Sequence, residues 1–164
     1  MREPVTIRTA AMEDLAVLTA IEAACFPAAE AAKEEDFRRR LAVYPDRFWL
    51  LEREGEVVSF VNGLVTDEAE LRDEMYEQAQ LHDPAGAWQM IFGVNTLPRY
   101  RRQGYAGMLI RRCIETARAE GKKGVVLTCK DRLVGYYEKF GFVSEGVSGS
   151  THGGVTWYSM RLTF

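Results

Sequence analysis

Apolar side chains recur at three- and four-residue steps late in the chain, where Ala106, Leu109, Ile110, Cys113, Ile114 and Ala117 share one face of a helix ending near Gly121. The same period over residues 12–24 aligns Leu15, Leu18, Ile21 and Cys25; the run Cys25-Phe26-Pro27 breaks that helix, and a second is predicted over about 31–43. Elsewhere the pattern shortens to strand length. Residues 5–8 predict a short strand, and 47–53 with 56–65, joined by a Glu-Gly-Glu turn, predict a hairpin. Further strands are expected at 88–97, 123–130, 142–146 and 155–163. Residues 67–80 read as a polar helix stopped by His82-Asp83-Pro84-Ala85-Gly86, and 131–140 as a short helix closed by Gly141. No repeat or linker interrupts this order, so strands alternating with helices around a mixed sheet, α/β or α+β, are the expected class.

The stretch Tyr100-Arg101-Arg102-Gln103-Gly104-Tyr105-Ala106-Gly107 joins the strand at 88–97 to the amphipathic helix. A short basic loop opening a helix directs backbone N–H groups and the positive end of the helix dipole at one small volume. Small residues let a ligand approach that backbone, so a phosphate-bearing ligand is expected; the same spacing also occurs in ordinary solvated turns. Two other phosphate loops do not match. Gly121-Lys122-Lys123 ends a helix instead of opening one, and no Gly-x-Gly-x-x-Gly follows a strand.

Composition narrows the class. A chain of 164 residues suits one domain with a substantial core, here 1–164. No stretch approaches the roughly 20 apolar residues of a membrane span, and residues 1–6 lack an apolar core of signal-peptide length. Cys25, Cys113 and Cys129 are odd in number and widely spaced, which argues against a disulfide framework or a metal site and suits a cytoplasmic location. A net charge of −3 argues against bulk nucleic-acid binding. The charges are uneven, however. Arg99, Arg101, Arg102, Arg111 and Arg112 gather around the loop, while six carboxylates fall within 67–77. A basic patch beside an acidic one suits an anionic cosubstrate with a cationic substrate, and a solvated helix face accounts equally for the acidic run.

With its elements in this order, the chain resembles the GNAT superfamily of acyl-CoA-dependent N-acetyltransferases. The likeness rests on Arg101-x-x-Gly104-x-Ala106, on a possible strand bulge at Phe92-Gly93-Val94, and on the ending Tyr137-Glu138-Lys139-Phe140-Gly141-Phe142. Within the superfamily it is most similar to the arylalkylamine (serotonin) N-acetyltransferases. That likeness is carried by Phe60-Val61-Asn62-Gly63-Leu64-Val65-Thr66-Asp67-Glu68, by Leu81-His82-Asp83-Pro84-Ala85-Gly86 and by Thr128-Cys129-Lys130-Asp131. The resemblance implies a central mixed, mostly antiparallel sheet flanked by helices, and acetyl-CoA as cosubstrate. It implies that Phe92, Gly93 and Val94 bind the pantetheine arm through their backbone. Arg102, Gln103, Gly104, Tyr105, Ala106 and Gly107 would then wrap the pyrophosphate, and Tyr137 would stand near the thioester sulfur. Arg111 and Arg112 are placed by helix position to reach the outer phosphate. The regulatory tails of the vertebrate enzymes have no counterpart here, so phosphorylation-dependent partners are not expected. One departure stands out: Trp88 and Met90 occupy the positions where the vertebrate family carries two proton-relaying histidines.

Acetyl transfer needs a neutral amine, and for a lysine-like amine the neutral form at pH 7 costs about 4.6 kcal/mol. A base is therefore useful, and so are strand N–H groups near Val94 for the oxyanion and an acid for the departing thiolate. Tyr137 is the candidate acid, its alternative being packing against Phe140 and Phe142. His82 is the other candidate catalytic residue, shortly before the central strand and within reach of the amine channel, although beside Asp83-Pro84 it also reads as a turn residue; the identity of the base stays open. Phe26, Pro27, Trp88 and Met90 are candidate walls of the acceptor pocket or core residues, His152 sits at a glycine-rich turn that borders it or forms a plain hairpin, and Cys129 reads as a buried strand residue. The expected function is direct acetylation of a small primary amine, preferably an arylalkylamine, by a metal-free enzyme that engages neither nucleic acid nor membrane. The alternatives are acceptors of polyamine, amino-sugar or protein type, or a binding module that holds acyl-CoA without turnover.

Overall fold

The computed structural model describes residues 4–164; the first three residues of the N-terminal stretch considered above lie outside them. In chain order the elements are β1 (Val5–Thr9), α1 (Leu15–Cys25), α2 (Glu34–Val43), β2 (Phe48–Arg53), β3 (Glu56–Asn62), β4 (Val65–Thr66) and α3 (Glu74–Glu77). They continue with β5 (Trp88–Ile91), β6 (Gly93–Thr96), α4 (Tyr105–Ala119), β7 (Gly124–Cys129), α5 (Val134–Glu138), β8 (Val143–Val147) and β9 (Tyr158–Thr163). The strands form two hydrogen-bonded sheets, ordered β1-β2-β3-β6 and β4-β5-β7-β9-β8. Neighbours are antiparallel except β5 and β7, which run parallel. The mixed α+β class with flanking helices is the one the sequence predicts.

The inner strands are apolar on both faces because both faces are covered. Phe48, Leu50 and Phe60 pack with Leu18, Ile21, Phe37 and Leu41 of α1 and α2. Trp49, Leu51, Val58 and Val61 pack on the other side with Leu109, Ile110, Cys113 and Ala117 of α4, the stripe read from the sequence. This two-sided burial produces near-continuous apolar runs where a half-exposed strand would alternate.

Three expectations change, the first being the strand at 56–65, which is divided into β3 and β4 of different sheets. The strand at 88–97 is divided: β5 keeps its register with β7 to Ile91↔Leu127, whereas β6 begins a register with β3 at Asn62↔Gly93. Phe92 is the single residue between them, so the chain passes from one sheet to the other there. β6 and the end of β7 consequently diverge, and a wedge opens. The polar helix expected over 67–80 is reduced to α3 and a single 3-10 turn at Ala79–Leu81. Its carboxylates serve other segments instead: Asp67 accepts the Ala87 N–H (3.0 Å), and Asp73 accepts the Ser150 hydroxyl (2.5 Å) and Thr151 N–H (3.1 Å). Such tertiary hydrogen bonds outweigh the weak helical preference of a run of like charges.

Candidate active site

The wedge is the mouth of a cavity of about 1070 Å³. Phe92, Gly93 and Val94 line one wall and Leu127, Thr128 and Cys129 the other, while Phe26 and Pro27 approach from the α1–α2 loop. The Leu97 N–H donates to the Val58 carbonyl (2.9 Å), and in this register the hydrogen-bonded pairs of an antiparallel ladder are then Asn95 with Phe60 and Gly93 with Asn62. Val94 and Thr96 therefore turn their backbone groups away from β3. The Thr96 carbonyl takes the Cys25 thiol (3.3 Å) and Arg101 Nε (3.1 Å) from that open side. Of the three residues expected to present backbone groups, Phe92 has its N–H committed to the Asn62 carbonyl (2.7 Å) and Gly93 belongs to the ladder. Val94 alone of them faces outward.

The basic loop leads from β6 into α4. Arg102 (φ 64°) and Gly104 (φ 82°) are both left-handed, and a side chain at Gly104 would meet no atom within 4 Å, so the turn is shaped by backbone and not by packing. The first intrahelical bond is Met108 N–H to the Gly104 carbonyl (3.1 Å). Among the described residues, the N–H groups from Arg102 through Gly107 have no protein acceptor. A left-handed turn followed by a helix N-terminus makes a concave array of donors suited to a phosphate. The loop thus fits the pyrophosphate of acetyl-CoA, the cosubstrate implied above. Arg111 stacks its guanidinium over Phe140 (5.1 Å) and, with Arg118 and Lys139, lines a shallow second cavity of about 380 Å³ beside α4.

Four rings form a row along the far end of the main cavity. Phe92 and Tyr76 lie 4.7 Å apart, Tyr76 and His152 stack at 5.1 Å and 10°, and His152 meets Trp157 at 6.1 Å. His152 Nε2 lies 2.7 Å from the Glu30 carbonyl, which only accepts, so that nitrogen carries the hydrogen. Lys130 and Glu30 form an ion pair (2.8 Å) at the cavity wall. Arg40 is buried; it donates to Asn62 Oδ1 (2.9 Å) and the Tyr76 carbonyl (2.8 Å) and stacks over Phe92 (4.9 Å). Burial pushes the Cys129 thiol up to about 11, so it is held neutral and is a poor nucleophile. Tyr137 lines the cavity at 7 % exposure, and its hydroxyl has no hydrogen-bond partner among the described residues. Burial, and after it Cys129 and Tyr136, push its phenol far above the ordinary value, which keeps the proton in place.

The remaining sequence candidates divide. Phe26 and Pro27 border the cavity. Trp88 and Met90 do not: Met90 is wholly enclosed in the α1–α2 core, and Trp88 packs in the same core under the Arg161 guanidinium (4.8 Å). Successive strand positions point to opposite faces, so β5 supplies Ile91 to the site and buries Met90. His82 is also displaced from its expected role, because it stands outside the cavity. Its Nδ1 accepts the Val65 N–H (3.0 Å), and its ring packs on Tyr44 at 4.8 Å. Burial, followed by Arg47, lowers its pKa. The unfolded chain therefore takes up this proton first, so the contribution is complete above the unfolded value of about 6.5 and is lost as pH falls toward the folded one. Thermal unfolding at pH 7.5 and pH 5.5 is expected to show the parent losing more stability on acidification than His82→Asn, which keeps an acceptor but does not titrate. Glu22, Arg40, Tyr76, Lys130 and Trp157 line the cavity without having been singled out by the sequence. Lys130 was named only within the segment Thr128-Cys129-Lys130-Asp131, and the others carried no signal beyond a polar or aromatic side chain.

A model described as the acetyltransferase (GNAT) family matches residues 15–142. Serotonin N-acetyltransferase of Mesocricetus auratus is 28% identical over 130 residues, covering 79% of this chain and 61% of that protein. The matched region thus spans about three fifths of the length of the curated relatives. Among solved structures, the loading GNATL domain of CurA from Lyngbya majuscula superposes with a TM-score of 0.84 at 18% identity over 98% of each chain. The GphF GNAT-like decarboxylase in complex with isobutyryl-CoA gives 0.83 at 24% identity, over 96% of this chain and 98% of that one. At these identities the two structures speak for the fold. Among the described residues, no helix is long and apolar enough to cross a membrane, and no three His, Cys, Asp or Glu side chains converge as a metal site would require.

Proposed function

The chain belongs to the acetyltransferase (GNAT) family, and from that premise we propose that it moves an acetyl group from acetyl-CoA directly to a small primary amine, preferably an arylalkylamine. The observation that carries the reading is the parting of the two sheets at Phe92. It opens a cavity lined by Val94, the aromatic row and Tyr137. Acetyl-CoA brings the acetyl group as a thioester, so the reaction forms an N–C bond, breaks a C–S bond and releases a thiolate.

The chain's own residues have three tasks. The N–H array from Arg102 to Gly107 holds the pyrophosphate, and the outward N–H and carbonyl of Val94 hold the pantetheine arm in the wedge. Tyr137 keeps its proton at neutral pH and delivers it to the leaving sulfur. The row of Phe92, Tyr76, His152 and Trp157 offers aromatic surface, ring edges included, to an aryl group, a contact type worth about 0.5–1.5 kcal/mol per pair beyond burial.

Thiol release from acetyl-CoA, measured against phenylethylamine, tryptamine, spermidine and glucosamine, tests the reading, with acetyl-CoA affinity measured alongside by calorimetry. The aryl amines are expected to exceed spermidine in kcat/KM by about tenfold, as one or two ring contacts would give. Preference for spermidine would move the acceptor to the polyamines. Binding of acetyl-CoA without turnover on any amine would make the chain a binding module.

A further inference from the structure

Glu22 is the one acidic side chain of α1 that enters the cavity, and it does so at 7 % exposure. Its two oxygens are not equivalent. Oε2 accepts the Ala32 N–H (2.9 Å) and so ties the α1–α2 loop to the helix. Oε1 is buried without a partner. The neighbouring Asn95 amide approaches it but closes no hydrogen bond, and both polar atoms of that amide are likewise buried and unpaired. A Cβ built on Gly93 would stand 3.8 Å from Oε1 and 3.3 Å from Asn95 Nδ2. The free carboxylate oxygen thus sits over the strand residue that precedes Val94, at the apex of the wedge.

A buried acceptor left without a donor costs about 1–3 kcal/mol, and more when it is charged. Among the described residues, no donor stands at hydrogen-bond distance from Oε1 to offset that cost. A primary ammonium would, because it brings three N–H donors and the opposite charge.

We infer that Glu22 is the general base for the amine, binding the ammonium through Oε1 and taking its proton before acetyl transfer. This assignment rests on the proposed acetyltransferase reading. The ammonium nitrogen loses one proton to Oε1 and keeps the electron pair that forms the N–C bond. The proton then leaves Glu22 for solvent, while Tyr137 separately protonates the thiolate. Charged and titratable groups face Glu22 from each neighbouring element: Arg40 from α2, Tyr76 from α3, His152 from the β8–β9 loop and Cys25 from its own helix. Burial, which outweighs the Ala32 N–H, Arg40, the Asn95 amide and His152, raises the carboxyl above its ordinary range, the direction that favours a base. The role that two strand histidines play in the similar vertebrate family is thereby supplied from the first helix.

Glu22→Gln tests this, because the amide keeps an oxygen for the Ala32 N–H and preserves the loop. With phenylethylamine, kcat is expected to fall about 10²-fold and the acidic limb of its pH profile to disappear, with acetyl-CoA affinity unchanged. Trifluoroethylamine, already largely neutral at pH 7, should lose far less. A merely structural role would depress both amines alike and so overturn the assignment. A second readout needs no turnover. Calorimetry of phenylethylamine binding to the CoA-bound enzyme at pH 6, in buffers of differing ionisation enthalpy, should show proton release in the parent and none in Glu22→Gln; equal release overturns the assignment. His152→Gln is the competing variant, and loss of the acidic limb there with Glu22→Gln unaffected would transfer the role to His152. A parent enzyme that binds acetyl-CoA yet acetylates no amine overturns the functional reading itself, and this assignment with it.

Discussion

Tyr137→Phe is expected to lower kcat by about 10²- to 10³-fold while leaving acetyl-CoA affinity and thermal stability near those of the parent. The substitution removes one oxygen. That oxygen makes no protein hydrogen bond among the described residues, so no partner is orphaned, and the ring keeps its edge contacts with Tyr136 (5.2 Å) and Phe142 (6.1 Å). A side chain that lines the cavity, and whose hydroxyl has no hydrogen-bond partner among the described residues, separates stability from rate cleanly. The loss should fall on kcat and on kcat/KM equally, as for an interaction made only in the transition state. A thiol is a moderate leaving group with a reference pKa near 8.5, which sets the expected loss toward the lower part of the range for acid catalysis. Steady-state kinetics with phenylethylamine measures it. An unchanged kcat would assign the tyrosine to packing alone.

A large loss of stability is expected at Gly63→Ala. Gly63 links β3 to β4, directly against the backbone of β5. A Cβ there would overlap the Met90 carbonyl oxygen and lie 2.5 Å from its carbon and 2.9 Å from Ile91 Cα. The obstacle is backbone, which a rotamer change does not relieve. The Gly63 carbonyl also accepts Gln89 Nε2 (2.9 Å), and Gln89 Oε1 accepts from buried Arg47 (3.2 Å), so displacement would strain an enclosed polar network. Overpacking at such a site costs typically 1–3 kcal/mol and occasionally more, and about 3 kcal/mol is expected here. For a chain of this size that corresponds to roughly 10 °C in Tm. Urea and thermal unfolding would register it. The variant should also bind acetyl-CoA more weakly, because Met90 and Ile91 set the position of Phe92, where the sheets part.

Much of the fold was legible along the chain. The α4 stripe from Leu109 to Ala117, the strands at both ends of the hairpin and the loop at Arg102–Gly107 all follow from local period and composition. Each obeys a short-range rule: one helix face buried, apolar runs covered on both sides, or small residues where the backbone must remain open. Residues 67–80 were misread for the converse reason, since Asp67 and Asp73 satisfy N–H groups of segments up to 78 residues away. Periodicity within a window carries no sign of such partners.

For the site, the sequence by itself determined a short basic loop opening a helix, a tyrosine on the short helix after β7, and the absence of histidine at residues 88 and 90. Only the tertiary structure decided which side chains meet. His82 is spent on the Val65 N–H and Met90 is sealed in the core, whereas Glu22, Arg40, Tyr76 and His152 converge from two helices, a short turn and a hairpin loop. The physical reason is the break at Phe92. A one-residue change of sheet reverses which strand positions face the cavity and draws β6 away from β7, and that event depends on pairing with β3 and β7, not on the order of residues along the strand.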